Sequence, residues 1–351
     1  MTEKENGAYR NATIVDVARK CGVSVATVSR VVNKNYPVSE KTRLRVQAAI
    51  EELHYVPNVQ ARELNLRHST TIGVVVPGLY NMFFAEVIDG IEAAVSNDKY
   101  SLLLSCARND PAQEQASARE LIARNVAGLI VISPNTEMLE EDFYKQMAVR
   151  TPLIFINGYR EIEGASYVMG AEEAGTRIAL QHLLELGHRR IMFVRGSHSD
   201  SYTVKEKVYR ELMQAEGLLD EEMIVDMGDG NTSDTVDDTE WILSLRLPKQ
   251  KPTAIFCCND LMAVGAQHAC QKANLAVPEN ISIVGYDNIA LAHFVSPKLT
   301  TIDQQMFRLG HAAAELVIEK IRGGRNRRVE IENVLVERES TGQARCPVKR
   351  E

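Results

Sequence analysis

The sequence predicts a small all-α helix-turn-helix domain followed by an α/β core of two doubly wound parallel-sheet subdomains. Three observations support this fold class. Apolar residues recur at helical spacing around a glycine turn near the N-terminus. Strand-sized apolar runs alternate with helical patterns after residue 70, and the alternation starts again after Gly164. The length of 351 residues leaves room for two or three folded units.

The composition is that of an ordinary globular protein, with 45% hydrophobic and 25% charged residues. It argues against disordered, collagen-like and disulfide-framework classes. No apolar run approaches the roughly 18 residues that a membrane span needs. The stretch 1–10 is polar and lacks the apolar segment of a signal peptide. We therefore expect a cytoplasmic protein.

The charge is distributed unevenly along the chain. Residues 1–68 hold 11 Lys and Arg against 7 Asp and Glu, a net charge of +4. The remaining residues hold 29 against 40, a net charge of −11, and the two parts add up to the total of −7. A basic head on an acidic body indicates that the head alone faces a polyanion.

The first helices have the pattern of a helix-turn-helix. Thr13 and Ser24 are placed to cap two short helices. Ala18 supplies the small residue at the helix crossing, Gly22 the left-handed turn, and Val28 the branched apolar residue that packs back. These features predict two helices joined by a tight turn.

A plain three-helix bundle is the alternative interpretation, since a third helix is predicted over 39–54. It leaves unexplained why the second helix carries Thr27, Ser29 and Arg30 away from its apolar face. Hydroxyls bind phosphates and arginine binds guanine through two hydrogen bonds. The pattern therefore favours DNA binding.

The head resembles the lactose/galactose-repressor (LacI/GalR) family of bacterial transcription regulators in the segments DVARKCGVSVATVSRVVN and VSEKTRLRVQAAIEELHYVPN. The resemblance implies base contacts by Val25, Ala26, Ser29 and Arg30. It implies phosphate contacts by a second set: Thr13, Ser24, Thr27, Asn33, Ser39 and Thr42.

The segment after Pro57 allows a short helix over 58–66, which is too short to persist alone in water. A solvated linker is one interpretation. The resemblance implies instead a hinge helix that orders on DNA, with Asn58 and Ala61 at the DNA and Leu64 wedged into a base step.

The body resembles the type I periplasmic-binding-protein fold in LGHRRI, PTAIFCCNDLMAVGA, VPENISIVGYDN and LTTIDQQMFRLG. The expected divisions follow: an N-terminal tail 1–12, the head 13–57, the hinge and linker 58–69, the core 70–342 and a disordered tail 343–351. Within the core we expect an N-subdomain near 70–160 and 290–321, and a C-subdomain near 161–289 and 322–342. The acidic stretch 226–240 lacks the carboxylate spacing of a calcium loop and is expected to be a solvated loop.

Ligands of such sheets bind at the carboxyl ends of the strands, so two facing subdomains predict one cleft. The candidate effector contacts are Phe83, Phe84, Lys205, Asn259, Asp260, Asp287 and Gln304. Several have structural alternatives: the phenylalanines as core, Asp260 as a helix cap and Asp287 as a turn former.

Two departures from the family pattern leave the effector class open. Lys205 stands where the family commonly has an arginine, and Ala171 with Glu172 replaces the usual Asp-Asn pair. Lysine is a point charge and lacks the planar fork of arginine. A sugar, a sugar phosphate or a nucleoside remain candidates, and Ser197 and Ser199 beside Lys205 suit an anionic sugar.

No cofactor or metal is expected. The histidines show no metal-ligand spacing, and the cysteines are expected to be small buried hydrophobes. Their positions are Cys21, Cys106, Cys257, Cys258, Cys270 and Cys346.

We therefore expect a homodimeric, effector-controlled transcription regulator, a repressor of carbohydrate genes, that binds a palindromic DNA operator. Two other classes compete. An enzyme is disfavoured because no nucleophile elbow, P-loop or paired catalytic carboxylate is present. A free-standing solute-binding protein would explain the body and leave the head without a role. Whether the effector releases DNA or promotes its binding stays open.

Overall fold

Residues 12–33, 36–57, 69–134, 139–197 and 199–344 are described by a computed structural model. The chain divides into two compact units, residues 1–68 and residues 69–351. The predicted hinge positions Asn58, Ala61 and Leu64, the N-terminal tail apart from Ala12, and most of the predicted C-terminal tail lie outside the described residues.

The first unit contains three helices: α1 (Ile14–Cys21), α2 (Val25–Asn33) and α3 (Glu40–Glu52). Thr13 begins α1 with a reciprocal capping box to Asp16. Gly22 ends it in the left-handed region, with φ 61°, and its N–H is bonded to the last carbonyls of the helix. Ala18 and Val28 are buried between the helices. The predicted helix-turn-helix is confirmed.

The second unit is built on two six-stranded sheets. The first sheet has the order β11-β5-β4-β3-β1-β2, and the second has the order β12-β10-β9-β8-β6-β7. Every described pairing is parallel except that between β10 and β12. The strands are β1 (Thr71–Val76), β2 (Ser101–Cys106), β3 (Gly128–Ile132), β4 (Leu153–Ile156), β5 (Ser166–Gly170), β6 (Ile191–Arg195), β7 (Ile224–Asp226), β8 (Ala254–Cys257), β9 (Ser282–Asp287), β10 (Thr300–Asp303), β11 (Arg328–Ile331) and β12 (Val334–Val336).

Helices connect these strands and cover the faces of the sheets. Each sheet with its helices forms one lobe of the second unit, built around buried apolar residues. They are α4 (Met82–Asn97), α5 (Pro111–Ala123), α6 (Glu141–Ala148), α7 (Glu172–Glu185), α8 (Asp200–Ala215), α9 (Thr235–Gln250), α10 (Asp260–Lys272), α11 (Leu291–Phe294) and α12 (Met306–Ile321).

The chain crosses between the lobes three times, and the subdomain boundaries predicted from the sequence are wrong at each crossing. The strand Ser166–Gly170 belongs to the first sheet, beyond the expected boundary at 161. The strand Thr300–Asp303 pairs in the second sheet, and Arg328–Ile331 returns to the first. Each of these short strands lies at or next to the edge of its sheet, and the pairings of Ser166–Gly170 with Arg328–Ile331 and of Thr300–Asp303 with Val334–Val336 are between distant or antiparallel segments that a local hydrophobic pattern does not report.

The acidic stretch is also structured differently from the expected loop. Helix α9 begins at Thr235, inside that stretch. Thr235, Thr239, Leu243 and Leu247 are buried at intervals of four residues, so threonine methyl groups supply part of the apolar stripe. Asp237 and Asp238 lie in the first turn, where negative charge stabilises a helix.

The cysteine prediction is confirmed at four positions among the described residues. All five described cysteines are free thiols; four are buried and Cys106 is half-buried. Cys346 lies outside the described residues. None of the described helices is both long and apolar enough to cross a membrane.

Candidate functional site

Helix α2 presents one continuous polar and small-residue face to solvent. Val25, Ala26 and Arg30 are exposed, and Ser29 and Asn33 are half-buried beside them. These positions are spaced at one and four residues, so they lie on the same side of the helix. Val28 is fully buried on the other side. The structure thus brings together the four side chains predicted to contact bases.

Five of the six predicted phosphate contacts lie at or near the start of a helix, and Asn33 is the last residue of α2. Thr13 accepts a hydrogen bond from the Asp16 backbone N–H, Ser24 from that of Thr27, and Ser39 from that of Thr42. Helix N-termini carry unsatisfied N–H groups and partial positive charge, which favours phosphate. The three hydroxyls therefore stabilise helix N-termini that attract anions, and each hydroxyl is also a polar group that could bond a phosphate.

Two further contacts hold the α2 surface in place. Asn33 donates a hydrogen bond from Nδ2 to the Ser29 hydroxyl at 3.1 Å. The Arg30 guanidinium lies 5.4 Å from the centre of the Tyr36 ring, within cation–π distance. Arg30 is therefore oriented while it stays exposed.

The second unit contains a cleft between its two lobes, at the carboxyl ends of the parallel strands. Side chains from both sheets and from the crossings line it. The residues that line it include Asn81, Phe83, Phe84, Asn109, Asp110, Glu114, Tyr159, Glu172, Ser197, Ser199, Asp200, Ser201, Tyr202, Lys205, Asp229, Asn231, Cys258, Asn259, Asp287 and Gln304.

Six of the seven predicted effector residues line this cleft, and Asp260 does not. The Asp260 carboxylate is fully buried and accepts hydrogen bonds from the Thr301 hydroxyl at 2.6 Å and the Ile289 N–H at 2.9 Å. It ties α10 to β10 and to the loop after β9. Its role is structural because both oxygens are already used by the protein. Asn259 instead caps α10 and lines the cleft.

Asp287 lies at the centre of the cleft floor, at the end of β9. Its backbone has a φ of 117°, a conformation that is costly for a residue with a side chain. Gln304 donates a hydrogen bond from Nε2 to its carboxylate at 2.6 Å. Burial raises the pKa of Asp287 to about 7, and the nearby Lys205 ammonium opposes that shift.

Lys205 is almost completely buried, at 2% exposure. Its ammonium donates hydrogen bonds to the Ser201 hydroxyl at 3.0 Å and the Cys258 carbonyl at 3.1 Å. It also lies 3.8 Å from the centre of the Tyr286 ring. The donors of this ammonium are therefore directed largely toward the protein.

Glu172 is the main cleft residue that the sequence prediction missed as a contact. It is the first residue of α7 and is 3% exposed. Tyr159 and Ser201 both donate hydroxyl hydrogen bonds to its carboxylate. The departure from the family pattern at Ala171 and Glu172 was visible, but only the fold shows that this position faces the cleft.

Among the described residues, side-chain hydrogen bonds beside the cleft join the two lobes. Asn81 donates to Asn231 at 2.9 Å, and Asn109 donates to Asp229 at 3.1 Å. Asn231 also donates to the Tyr202 hydroxyl at 3.0 Å. A change in the angle between the lobes would break these hydrogen bonds.

A buried polar network joins the first and third crossings. The Tyr286 hydroxyl donates to the backbone carbonyl of Glu172 at 3.3 Å and accepts from Nδ2 of Asn333 at 2.7 Å. Gly175 packs against both side chains so closely that a Cβ would lie 2.5 Å from the Tyr286 oxygen. The crossings therefore meet at one tightly packed point.

Two segments of the chain match known families. Residues 13–58 match the lacI family of bacterial regulatory proteins, and residues 180–341 match a periplasmic binding protein-like domain. The HTH-type transcriptional repressor PurR of Aliivibrio salmonicida (strain LFI1238) is 37% identical over 316 residues, which is 89% of this chain and 92% of the relative. The repressor of the same name from Vibrio atlanticus (strain LGP32) is 36% identical over 315 residues, with the same coverage of both chains.

Solved structures show the same architecture. The lac repressor dimer bound to operator and the anti-inducer ONPF has a TM-score of 0.79 at 28% identity, covering 95% of this chain and 100% of that one. A complex of the transcriptional regulator CelR with cellobiose has a TM-score of 0.67 at 27% identity, covering 94% and 99%. The chain therefore belongs to the lacI family of bacterial regulatory proteins, as a DNA-binding transcriptional regulator with an effector-binding core.

Proposed function

We propose that this chain is a cytoplasmic repressor that binds a palindromic operator as a homodimer and changes its DNA affinity when a small molecule enters the cleft. The observation that carries the DNA-binding part is the α2 face, where Val25, Ala26, Ser29 and Arg30 lie together. Small apolar side chains suit the thymine methyl group, and arginine suits guanine. The net charge of +4 on residues 1–68 adds attraction to phosphate.

The effector-binding role is supported by the cleft between the lobes. Polar side chains converge on it from both sheets and from the chain crossings, as in other sites that hold small ligands. The Asn81–Asn231 and Asn109–Asp229 hydrogen bonds depend on the distance between the lobes. Closure around a ligand would favour them, so ligand occupancy and lobe angle would be coupled.

The hinge assignments of Asn58, Ala61 and Leu64 remain a proposal carried by the sequence resemblance. Control of carbohydrate genes is likewise a proposal, and the CelR–cellobiose complex supports it only by similarity. Whether the effector releases DNA or promotes its binding is measured by operator titrations with and without ligand.

The test is a selection of operator DNA from a random-sequence pool by the full chain. We expect an enriched palindrome with two half-sites, and we expect the Arg30→Ala variant to lose the enrichment. Arg190→Ala, in the second unit, is the matched control and should select the same sequence. Selection of no common sequence, or of the same sequence by the Arg30 variant, would contradict the assignment of α2 as the reading helix.

A free-standing sensor gives a different outcome in the same experiment. A ligand would then raise the melting temperature of the chain, while no DNA sequence would be retained above background.

A further inference from the structure

We propose that the effector of this cleft carries a protonated amine. This inference rests on the proposed function, because it names the chemical class of the small molecule that the regulator senses. Three features of the cleft lead to it: carboxylates that make no direct ion pair among the described residues, a lysine that is already engaged, and a buried acceptor that has no donor in the described part of the chain.

The carboxylates are arranged at two depths. Glu172 and Asp287 are buried on the floor, and Asp110 and Asp229 are exposed at the rim. Within the described part of the chain, none of these four takes part in an ion pair with a lysine, arginine or histidine.

Buried carboxylates are costly unless a positive charge or hydrogen-bond donors compensate them. Hydroxyl and amide donors reach Glu172 from Tyr159 and Ser201, and Asp287 from Gln304. These neutral donors add no positive charge, so the Lys205 ammonium is the one lysine or arginine among the described lining residues that opposes the negative charge on the floor. A bound cation would neutralise it, and would also favour the ionised form of Asp287.

Lys205 is the only lysine or arginine among the described lining residues. It cannot act as an exposed anion clamp because it is 2% exposed and directed at Ser201, the Cys258 carbonyl and the Tyr286 ring. A phosphate or carboxylate in this cleft would face several carboxylates and an engaged ammonium. The anionic sugar suggested by Ser197, Ser199 and Lys205 is therefore disfavoured by the charges around it.

Gln304 supplies the third feature. Its amide nitrogen is oriented toward the Asp287 carboxylate, which fixes its carbonyl oxygen on the opposite side. That oxygen is buried and has no hydrogen-bond donor within the described part of the chain. The side chain is 2% exposed and lines the cleft. Such an acceptor calls for a donor on the ligand.

An amine between Glu172 and Asp287 would compensate the floor carboxylates, and a further donor on the same ligand would reach the carbonyl oxygen of Gln304. An ammonium has three donors and no acceptor, so it matches a site in which acceptors outnumber available donors. Hydroxyls on the same ligand would reach Asn259 and the rim carboxylates.

The experiment compares matched ligands on the full chain by thermal shift and calorimetry. One series is D-glucosamine, D-glucose and D-glucose 6-phosphate; the other is putrescine and 1,4-butanediol. A wider library of primary amines, each with its alcohol counterpart, accompanies them. We expect the compounds that bind to be amines, each at least tenfold tighter than its neutral counterpart. Hits concentrated among neutral or anionic compounds, or no hit among the amines, would overturn the proposal.

Variants test whether the cleft carboxylates are responsible. Glu172→Gln keeps a hydrogen-bond acceptor for Tyr159 and removes the charge, and it should weaken binding of the best amine at least tenfold. Glu173→Gln, at the next and exposed position of α7, is the matched control and should change nothing. Asp229→Asn at the exposed rim should weaken binding without affecting the fold.

Amine binding that is unchanged in both cleft variants would overturn the assignment. Operator selection is run in parallel. Loss of DNA recognition would contradict the proposed function, whereas loss of amine preference alone would contradict only this inference.

Discussion

Asp287 combines an unfavourable backbone conformation, burial and an ionisable carboxyl group at one position. Its φ of 117° and its 4% exposure are both costly for an aspartate. An aspartate is not needed at this position to end the strand, because glycine or asparagine would adopt the same backbone conformation with less strain. Strain of this kind concentrates where a side chain must be held in a working orientation. This strain supports the proposed contact between Asp287 and the effector.

The first prediction concerns the pH dependence of stability at this residue. Burial raises the pKa of Asp287 from 3.8 to about 7 in the folded protein. Between these values the folded state keeps a proton that the unfolded state has lost, so the free energy of unfolding falls as pH rises. Asp287→Asn removes this slope. Its stability relative to the parent chain should therefore be greater at pH 8 than at pH 5.

Urea unfolding at the two pH values measures this difference. Glu279→Gln, an exposed charge removal in the same lobe, is the control. An equal offset for Asp287→Asn at both pH values would show that its carboxyl is not protonated in the folded state.

The second prediction concerns base reading by Arg30. Arg30→Lys keeps the positive charge and loses the planar fork that bonds guanine twice. We expect a loss of about 1–3 kcal/mol on the selected operator and relaxed discrimination at one guanine position. Binding is measured on the operator and on variants with each base pair replaced. A uniform loss on all sequences would point to a phosphate contact instead.

At the scale of elements, α4 and α12 pack against each other at a contact without room for side chains. A Cβ on Gly90 would overlap the carbonyl oxygen of Phe307, and a Cβ on Gly310 would overlap that of Val87. The two glycines therefore let the backbones approach closely. This contact anchors the returning helix α12 on the first lobe, next to the second crossing and Gln304.

The third prediction is that Gly310→Ala destabilises the second unit by about 1–3 kcal/mol or more, because the obstacle is backbone and cannot rotate away. Chemical unfolding monitored by circular dichroism measures the change. Gly78→Ala is the control, since a Cβ there meets nothing within 4 Å and the backbone is not in the left-handed region. Equal stability of the two variants would mean that the helices separate without cost.

The elements themselves were predictable where the hydrophobic period was strong and local. The runs that became β1, β3 and β8 are almost fully apolar, as is typical of buried parallel strands. The first residues of α9 were missed because threonines form part of its buried stripe. The strands at the crossings were missed because their partners are far away in the chain, as in the pairing of Tyr167 with Arg328.

At the scale of the whole molecule, a DNA-reading unit and a ligand-binding unit share one chain. Regulation requires a coupling free energy between the two sites, and such coupling is reciprocal. We expect a change in the angle between the lobes to disturb two places in particular. These are the hydrogen bonds across the cleft and the packed crossing at Tyr286 and Gly175.

The fourth prediction follows from this reciprocity. If the effector changes operator affinity by some factor, the operator must change effector affinity by the same factor, typically about 5–150-fold. Calorimetric titration of the best-binding ligand, with and without a saturating operator duplex, measures one side. Operator titrations with and without ligand measure the other. Unequal factors would mean that a further equilibrium, such as dimer dissociation, intervenes.

By itself the sequence determined the helix-turn-helix, the residues on the exposed face of α2, the charge division between head and body, and the two-lobed α/β class. These rest on local spacing, because Gly22, Val28 and the periodic strands act within a few residues of their neighbours. Only the tertiary structure decided which side chains share the cleft. It excluded Asp260 from the cleft, because both of its carboxylate oxygens accept hydrogen bonds within the protein, and it placed Glu172 in the cleft lining. It also showed that Lys205 is engaged by Ser201 and Tyr286. Charge compensation is a matter of distance in space, and three chain crossings bring together residues that lie more than a hundred positions apart.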